Sequence, residues 1–316
     1  NIDIDVDLFF SNTKNNKNLS RTLGISKSNV DFVNENIVNI QNILWKLNRI
    51  EIFTEKLKKE KLLNFEDDKD QLFSIIKNYQ FCKLLEKELK NKKNFKKKIY
   101  NNKNILLFKK YELIINCDFK NIITKKYFSK KIQKKYDSFA YTAIINHEKV
   151  VNNTATQIFT KKGPLAYLPI SNSQTSVVYS IHNNANNKKE DIQDLIIKHN
   201  RKYKIKKISE IDSFVLSSLN LRSYYYKNII AFGDLLHKVH PLAGQGFNMT
   251  LRDIKTLLEI IQKRSDLGLS INSSVGIEFE KKTKHKNFVF LSGIDFIHQF
   301  FNFERKTSNN FLSKSV

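Results

Sequence analysis

The residues best equipped for chemistry lie in one stretch, GDLLHKVHPLAGQGFNMTLRD at positions 233–253. Glycine is scarce in this chain, yet three of its eight glycines, Gly233, Gly244 and Gly246, fall here. A composition that avoids glycine keeps it where a positive φ or a close backbone approach is needed. The segment IIAFGD (229–234) reads as a short buried strand, which puts Asp234 at its carboxyl end. In open α/β sheets that end is where ligands bind, and a carboxylate there can accept hydrogen bonds from a sugar-like chain of hydroxyls. The turn PLAGQG leads into a helix expected from about Gln245 to Gln262. The first N–H groups of such a helix have no intrahelical partner, and with the helix dipole they stabilise negative charge. The plainer role for Asp234 is to cap the turn that follows. His237 and His240 are spaced so that one helical face could present both to a metal, but no third ligand accompanies them, so no metal is expected.

The elements that must position these residues are legible in part. Residues 1–10 alternate (Ile2, Ile4, Val6, Leu8) and predict a short strand. Apolar residues recur at helical spacing from Ser26 to about Leu47, and residues 71–90 predict a second helix. NILLF and YELIINCD (104–118) read as strands. From Ser138 the texture changes to short β runs, SFAYTAIINHE, TATQIFTKK, PLAYLPIS and TSVVYSIHN, which predict an antiparallel sheet of about four strands. The tail, roughly 275–303, reads as one or two amphipathic helices rich in phenylalanine. Trp45 and that stripe suit a core or a dimer surface, and the basic helix suits a membrane face. Strand–helix segments enclosing a separate sheet imply an α/β chain with an inserted layer, divided as 1–137, 138–225 and 226–316.

Bulk composition narrows the function classes. At 316 residues, 41% hydrophobic and 12% aromatic, the chain is long and apolar enough for one large or two modest cores. Its formal charge of +24 would suit a polyanionic partner, but only seven of the 55 basic residues are arginine. Nucleic-acid readers rely on forked guanidinium contacts, and no nucleic-acid motif is present, so no such partner is expected. Two cysteines, Cys82 and Cys117, lie outside any Cys-x-x-Cys pair, which argues against a disulfide framework or zinc and fits a reducing compartment. No apolar run reaches the ~18 residues of a membrane span, and the opening NIDIDVDLFFSN lacks the basic start of a signal peptide. The one methionine is Met249, so further residues are expected upstream of Asn1.

The 233–253 string resembles the second flavin motif of the FAD-dependent monooxygenases related to p-hydroxybenzoate hydroxylase. It is most similar to the form found in ubiquinone-biosynthesis hydroxylases, GDAAH-x-x-HPLAGQG-x-N-x-x-x-RD. Gly233, Asp234, His237, His240 and the run Pro241 to Gly246 match, as do Asn248, Arg252 and Asp253. The resemblance implies an α/β, FAD/NAD(P)-binding fold of the p-hydroxybenzoate hydroxylase type, with an inserted antiparallel β substrate sheet and a helical C-terminus. It implies that Asp234, beside Gly233, holds the ribityl hydroxyls of FAD, and that Pro241 lies along the isoalloxazine edge. The backbone of Gly244, Gln245, Gly246, Phe247 and Asn248 would face the flavin N1–C2=O end, while Arg252 and Asp253 brace the helix. Weaker likenesses extend outward. LSRTLGIS (19–26) places Arg21 near the cofactor phosphates or nicotinamide donor, with a surface charge as the alternative. IIKNYQFCKLL (75–85) places Asn78 beside the flavin, with ordinary helix capping as the alternative. GPLAYLP (163–169) resembles a strand of the substrate sheet, and SGIDFIHQFF (292–301) the family's C-terminal Asp-containing helix.

Two features depart from the family pattern. No Gly-x-Gly-x-x-Gly occurs, so the βαβ unit that grips the ADP half of FAD is expected before Asn1. The family's Asp-Gly-x-x-Ser-x-x-Arg fingerprint aligns with residues 118–125, where Asp118 is kept, Phe119 stands for the glycine and Lys125 for the arginine. Asp118 is thus a cofactor-site candidate, with a plain strand-end turn as the alternative. The implied reaction is hydroxylation of a polyprenyl phenol in ubiquinone biosynthesis with NAD(P)H and O2. No side chain is assigned as catalytic, since no acid–base dyad is evident. The implied setting is cytoplasmic, peripheral to the inner membrane, as a homo-oligomer or within a quinone-biosynthesis complex. The degenerate 118–125 region supports a rival: a non-catalytic paralogue with weak or no FAD binding, acting as a lipid-binding or scaffold member of such a complex. A second rival is an FAD-dependent reductase of prenyl chains, against which the HPLAGQG form argues.

Overall fold

Short β runs separated by turn residues from Ser138 onward build most of the largest layer of the molecule, a nine-stranded sheet. The computed structural model describes residues 4–10, 20–55, 61–67, 71–99, 110–182, 189–239 and 244–307. In chain order the first elements are β1 (Val6–Phe10), β2 (Thr22–Ser26), α1 (Lys27–Asn36), β3 (Leu44–Leu47), β4 (Arg49–Thr54), β5 (Lys61–Glu66) and β6 (Phe73–Lys77). Next come α2 (Asn78–Lys90), β7 (Phe95–Ile99), β8 (Ile114–Asn116), α3 (Ile122–Tyr127), β9 (Lys131–His147), β10 (Thr154–Thr160), β11 (Gly163–Pro169) and β12 (Gln174–His182). The chain continues through α4 (Lys189–His199), β13 (Ile205–Ile208), β14 (Asp212–Leu221), β15 (Tyr225–Tyr226), β16 (Ile229–Ala231), β17 (His237–Lys238), α5 (Gln245–Asp266) and α6 (Ser273–Thr307).

The large sheet runs β17-β14-β9-β12-β11-β10-β4-β5, with β13 also paired to β9. One face carries Ala143, Ile145, Leu165, Val177 and Tyr179, which bury against Ile192 and Ile196 of α4. Each such side chain taken from water contributes roughly 1.5–3 kcal/mol. The opposite face packs through Ala155 and Ile170 on Leu47 and Ile75 of a three-stranded sheet, β2-β6-β3. Asn152 staples the two sheets at that seam: it donates to Ser171 O (2.8 Å), accepts from Tyr203 Oη (2.8 Å), and its carbonyl takes the Trp45 indole N–H (2.6 Å). Trp45 therefore belongs to this internal junction.

A second region is parallel. β1 pairs with β7, and β16 pairs with β8. Their core is built from Ile230, Ala231, Leu235 and Phe279, which join β16 to α5 and α6. β1 and β8, each with one neighbouring strand among the described residues, line a cavity of about 2450 Å³ whose other walls come from α1 and α5.

Several predicted elements change. The helix expected from Ser26 to Leu47 stops at Asn36, and Leu44–Leu47 is a strand. Asparagines cause the break: Asn34 Oδ1 accepts from Ile40 N (2.8 Å) and Asn39 Oδ1 from Gln41 N (3.0 Å), so side chains compete with the helical ladder. The helix expected over 71–90 begins only at Asn78, because Phe73–Lys77 is the central strand between β2 and β3, with Ile75 and Ile76 buried on its two faces. Residues 104–108 lie outside the described residues, and the strand expected over 111–118 is confined to Ile114–Asn116. The sheet of about four strands is extended by β13, β14 and β17, and by β4 and β5 from before Ser138, β4 joining β10 in parallel. The tail is a single helix, α6.

Candidate functional site

Two strand ends and one helix start converge to form the site. β8 and β16 are adjacent and parallel, with Ala231 beside Asn116, so both leave the sheet at the same end. Phe232 N donates to Asn116 O (2.9 Å), which carries the pairing to the last residue. Beyond it Gly233 takes φ +62 and opens a 3-10 turn, Gly233–Leu235, closed by Leu236 N to Gly233 O (2.9 Å). A Cβ on Gly233 would meet no atom within 4 Å, so glycine is required there for its backbone conformation. Asp234 is exposed at this turn.

Asp118 follows β8 at the same end, also exposed. Its Oδ1 accepts from Lys120 N (2.8 Å), and its carbonyl takes the Thr124 hydroxyl, so the residue closes its own turn. Asn116 organises that turn by accepting from Asn121 Nδ2 (2.6 Å) and donating to Thr124 Oγ1 (2.8 Å). Cys117 is exposed on the cavity wall, next to Asp118. Partial desolvation by the cavity wall, and secondarily the negative charges of Asp234 and Asp118, push its thiol up to about 11. Phe119 is exposed where the family has glycine.

The helix start is built differently. Gly244 is the N-cap of α5 at φ +63, and a Cβ there would lie 3.7 Å from the Gly24 Cα of β2. Asn248, one turn in, is buried and clamps three segments. Its Oδ1 accepts from Ser26 N (3.0 Å) and Asn29 Nδ2 (2.8 Å), while its Nδ2 donates to Gly24 O (3.1 Å) and Gly244 O (3.3 Å). Phe247 packs edge-on against Phe81 of α2, with ring centroids 5.8 Å apart. The side chains of Phe247 and Asn248 thus hold α5 in place, leaving the backbone amides of Gln245 and Gly246 at the mouth. Among the described residues no atom lies within 4 Å of a Cβ position on Gly246.

Arg21 and Asn78 come together, since Asn78 N donates to Arg21 O (3.0 Å) where β2 begins and β6 ends. This corner touches the large sheet: Ser20 Oγ donates to Asp212 Oδ2 (2.8 Å), and the Thr22 and Ser176 hydroxyls are 2.9 Å apart. Arg21 therefore sits at the seam between layers. Pro241, with His240, Leu242 and Ala243, lies outside the described residues.

A buried network joins the two halves of the site. His237, three residues past Asp234, is 2% exposed, and its Nε2 lies 2.5 Å from Asp253 Oδ2 on α5. Asn287 of α6 donates to Asp253 Oδ1 (3.2 Å) and accepts from Arg252 Nη2 (2.9 Å). Asp253 is 1% exposed, so His237 and Asn287 supply the donors that a buried carboxylate requires. Arg252 and Asp253 do brace the helix. Among the described residues no three His, Cys, Asp or Glu side chains come together as metal ligands. Sequence reasoning missed the contribution of Gly24; its rarity was the available signal. It also missed the partners of Asn248, which no local pattern could supply.

The glycine N-cap of α5 and the exposed Asp234 fit an elongated ligand with a hydroxyl chain. No protein-family model matches the chain. It is 24% identical over 229 residues to the mitochondrial ubiquinone biosynthesis monooxygenase of Drosophila melanogaster, covering 59% of this chain and 48% of that protein. It is 27% identical over 150 residues to the 3-demethoxyubiquinol 3-hydroxylase of Escherichia coli, covering 45% and 38%. The chain spans about half the length of the first of these relatives, or less. Among solved structures it is similar to a probable FAD-dependent monooxygenase from Pseudomonas aeruginosa, with TM-score 0.70 and 11% identity over 96% of this chain and 89% of that one. It is also similar to the p-nitrophenol 4-monooxygenase of Pseudomonas putida, with TM-score 0.69 and 9% identity over 99% and 90%. The chain thus has the FAD-dependent monooxygenase fold, and its sequence relatives are ubiquinone-biosynthesis monooxygenases.

Proposed function

We propose that this chain carries the flavin site of an FAD-dependent monooxygenase that hydroxylates a polyprenyl phenol of ubiquinone biosynthesis, with NAD(P)H as electron donor and O2 as oxidant. The observation that carries the reading is the exposed Asp234 at the end of β16, tied through His237 and Asp253 to α5, whose start is capped by Gly244 at φ +63. Bound there, FAD would supply the electron transfer and oxygen chemistry. Asp234 would accept the ribityl hydroxyls, with Asp118 at the neighbouring strand end. The Gln245 and Gly246 amides would steady negative charge at the ring edge. The seam between Arg21 and the large sheet, fixed by Thr22–Ser176 and Ser20–Asp212, would hold the phenol and exclude water. The cavity lined by β1 and β8 would receive the nucleotide half of the cofactor.

One observation favours a second reading, a non-catalytic relative acting as a lipid-binding or scaffold member of a complex. Asp118 closes its own turn, and Phe119 and Lys125 replace the family's glycine and forked arginine. The two are separated by adding FAD to the purified protein and removing excess cofactor. Retained flavin absorbance, lost in Asp234→Ala, supports the first reading; a colourless wild type overturns it. NAD(P)H oxidation stimulated by a polyprenyl phenol then tests the reaction.

A further inference from the structure

His237 is a buried imidazole with one nitrogen in use and one idle. Its side chain is 1% exposed, and Nε2 lies 2.5 Å from Asp253 Oδ2. Among the described residues Nδ1 has no hydrogen-bond partner, although it is closed off from solvent. A carboxylate at Nε2 fixes the ring proton there, which leaves Nδ1 a bare lone pair. A carboxylate-oriented imidazole with its other nitrogen free is the arrangement that takes up a proton and is steadied as the imidazolium. The surrounding network is short of positive charge. Asp253, itself 1% exposed, is bonded to His237 and to the neutral amide of Asn287. Arg252 reaches that carboxylate through Asn287 Oδ1 (2.9 Å). On the strand side Asn220, paired with His237, accepts from Tyr224 Oη (3.0 Å), and Tyr224 N donates to Glu280 Oε2 (2.6 Å). Asp234 stands three residues before His237, and Lys238 follows it. The charged groups on the elements around the ring are therefore Asp234, Asp253 and Glu280 against Arg252 and Lys238.

We propose, resting on the flavin reading, that His237 is the proton-accepting residue behind the cofactor: Nδ1 takes one proton from solvent when the bound FAD is reduced and releases it on reoxidation. A hydride from NAD(P)H brings two electrons and one proton to the cofactor, so one negative charge is added to the site. One solvent proton on His237 balances it. A negative charge arising near an imidazole favours its protonated form. Asp253 then gains in His237 the cation that its present partners lack, and the buried carboxylate is both paired and hydrogen-bonded. In this role His237 is a positioning residue that acts on the cofactor through charge.

The test is a potentiometric titration of the FAD-loaded chain at a series of pH values around neutrality, for wild type, His237→Gln and His147→Gln. Glutamine keeps an N–H for Asp253 but takes up no proton. His147 is a second buried histidine, 3% exposed, on β9 of the large sheet, and serves as the control. Wild type and His147→Gln should take up about one proton more per two electrons than His237→Gln, a pH slope steeper by about 30 mV per unit. A merely structural role for His237 would alter FAD affinity without changing that slope. A second measurement needs no variant and decides the matter if His237→Gln does not fold. In nitrogen-15 spectra of the loaded wild type, assigned through the backbone, Nδ1 of His237 should gain a proton on anaerobic reduction. Equal slopes, or an Nδ1 whose protonation is the same in both redox states, would overturn the proposal while leaving the flavin reading in place. A wild type that retains no FAD would overturn both.

Discussion

The two halves of the 233–253 string are put to opposite uses. At the α5 start, Phe247 and Asn248 turn inward, and every polar atom of the Asn248 side chain is bonded to β2, α1 or Gly244. At the β16 end, Asp234 turns outward on a glycine-made turn with open space around it. One half holds the site rigid and the other presents it. In such a motif the buried residues secure geometry and the exposed carboxylate is left for a ligand, so stability and binding should separate when each half is altered.

The largest expected effect is at the residue joining the halves. Asp253→Ala leaves the His237 and Asn287 donors buried without their acceptor and should cost about 3–5 kcal/mol of stability, read as a fall in the denaturant midpoint together with loss of flavin. Asn248→Ala removes the clamp and should cost about 2–3 kcal/mol; unchanged stability would show that the α5 start is held by packing alone. Asp234→Ala should do the reverse. Its stability should stay within about 0.5 kcal/mol of wild type, as for ordinary surface changes, while FAD affinity, followed by fluorescence quenching, falls about thirtyfold through the loss of charged hydrogen bonds. If Asp234→Ala unfolds the protein, the contrast between the halves fails. Gly244→Ala places a Cβ on a left-handed residue and should cost about 1 kcal/mol.

The smallest effect is at Cys117. Its folded-state pKa of about 11 stands above the ordinary 9.0. The unfolded chain therefore releases this proton first, and folding loses stability as pH rises from 9.0 towards 11, with no contribution below that window. Both cysteines are exposed; iodoacetamide modification at pH 8 should proceed more slowly at Cys117 than at Cys82 because the raised pKa leaves less thiolate. Asp234→Ala should narrow the difference by removing one of the two negative charges beside the thiol.

The strand runs from Ser138 and the helix after Gly244 were legible because their signals are local: short β runs split by turn residues for β9 to β12, a glycine turn before α5. The end of α1 at Asn36 was not. Apolar spacing continues past it, and only the side-chain bonds of Asn34 and Asn39 show why the helix stops. The recruitment of β4 and β5 into the large sheet was also hidden, because β4 pairs with β10 about a hundred residues later. Among the site residues, Asp234 was readable from one strand and one glycine. The meeting of Arg21 with Asn78, and of both with the Asp212 seam, depends on contacts between distant segments.

By itself the sequence determined that a carboxylate ends a buried strand and that a glycine turn opens a long helix after it. Both follow from backbone preferences and hydrophobic spacing, which act over a few residues. Tertiary structure alone decided which side chains of that string face the core. Asn248 reaches Ser26 across 222 positions and Asp253 reaches Asn287 across 34. A buried polar atom must find a partner wherever the fold brings one, and its own neighbours in the chain carry no record of that choice.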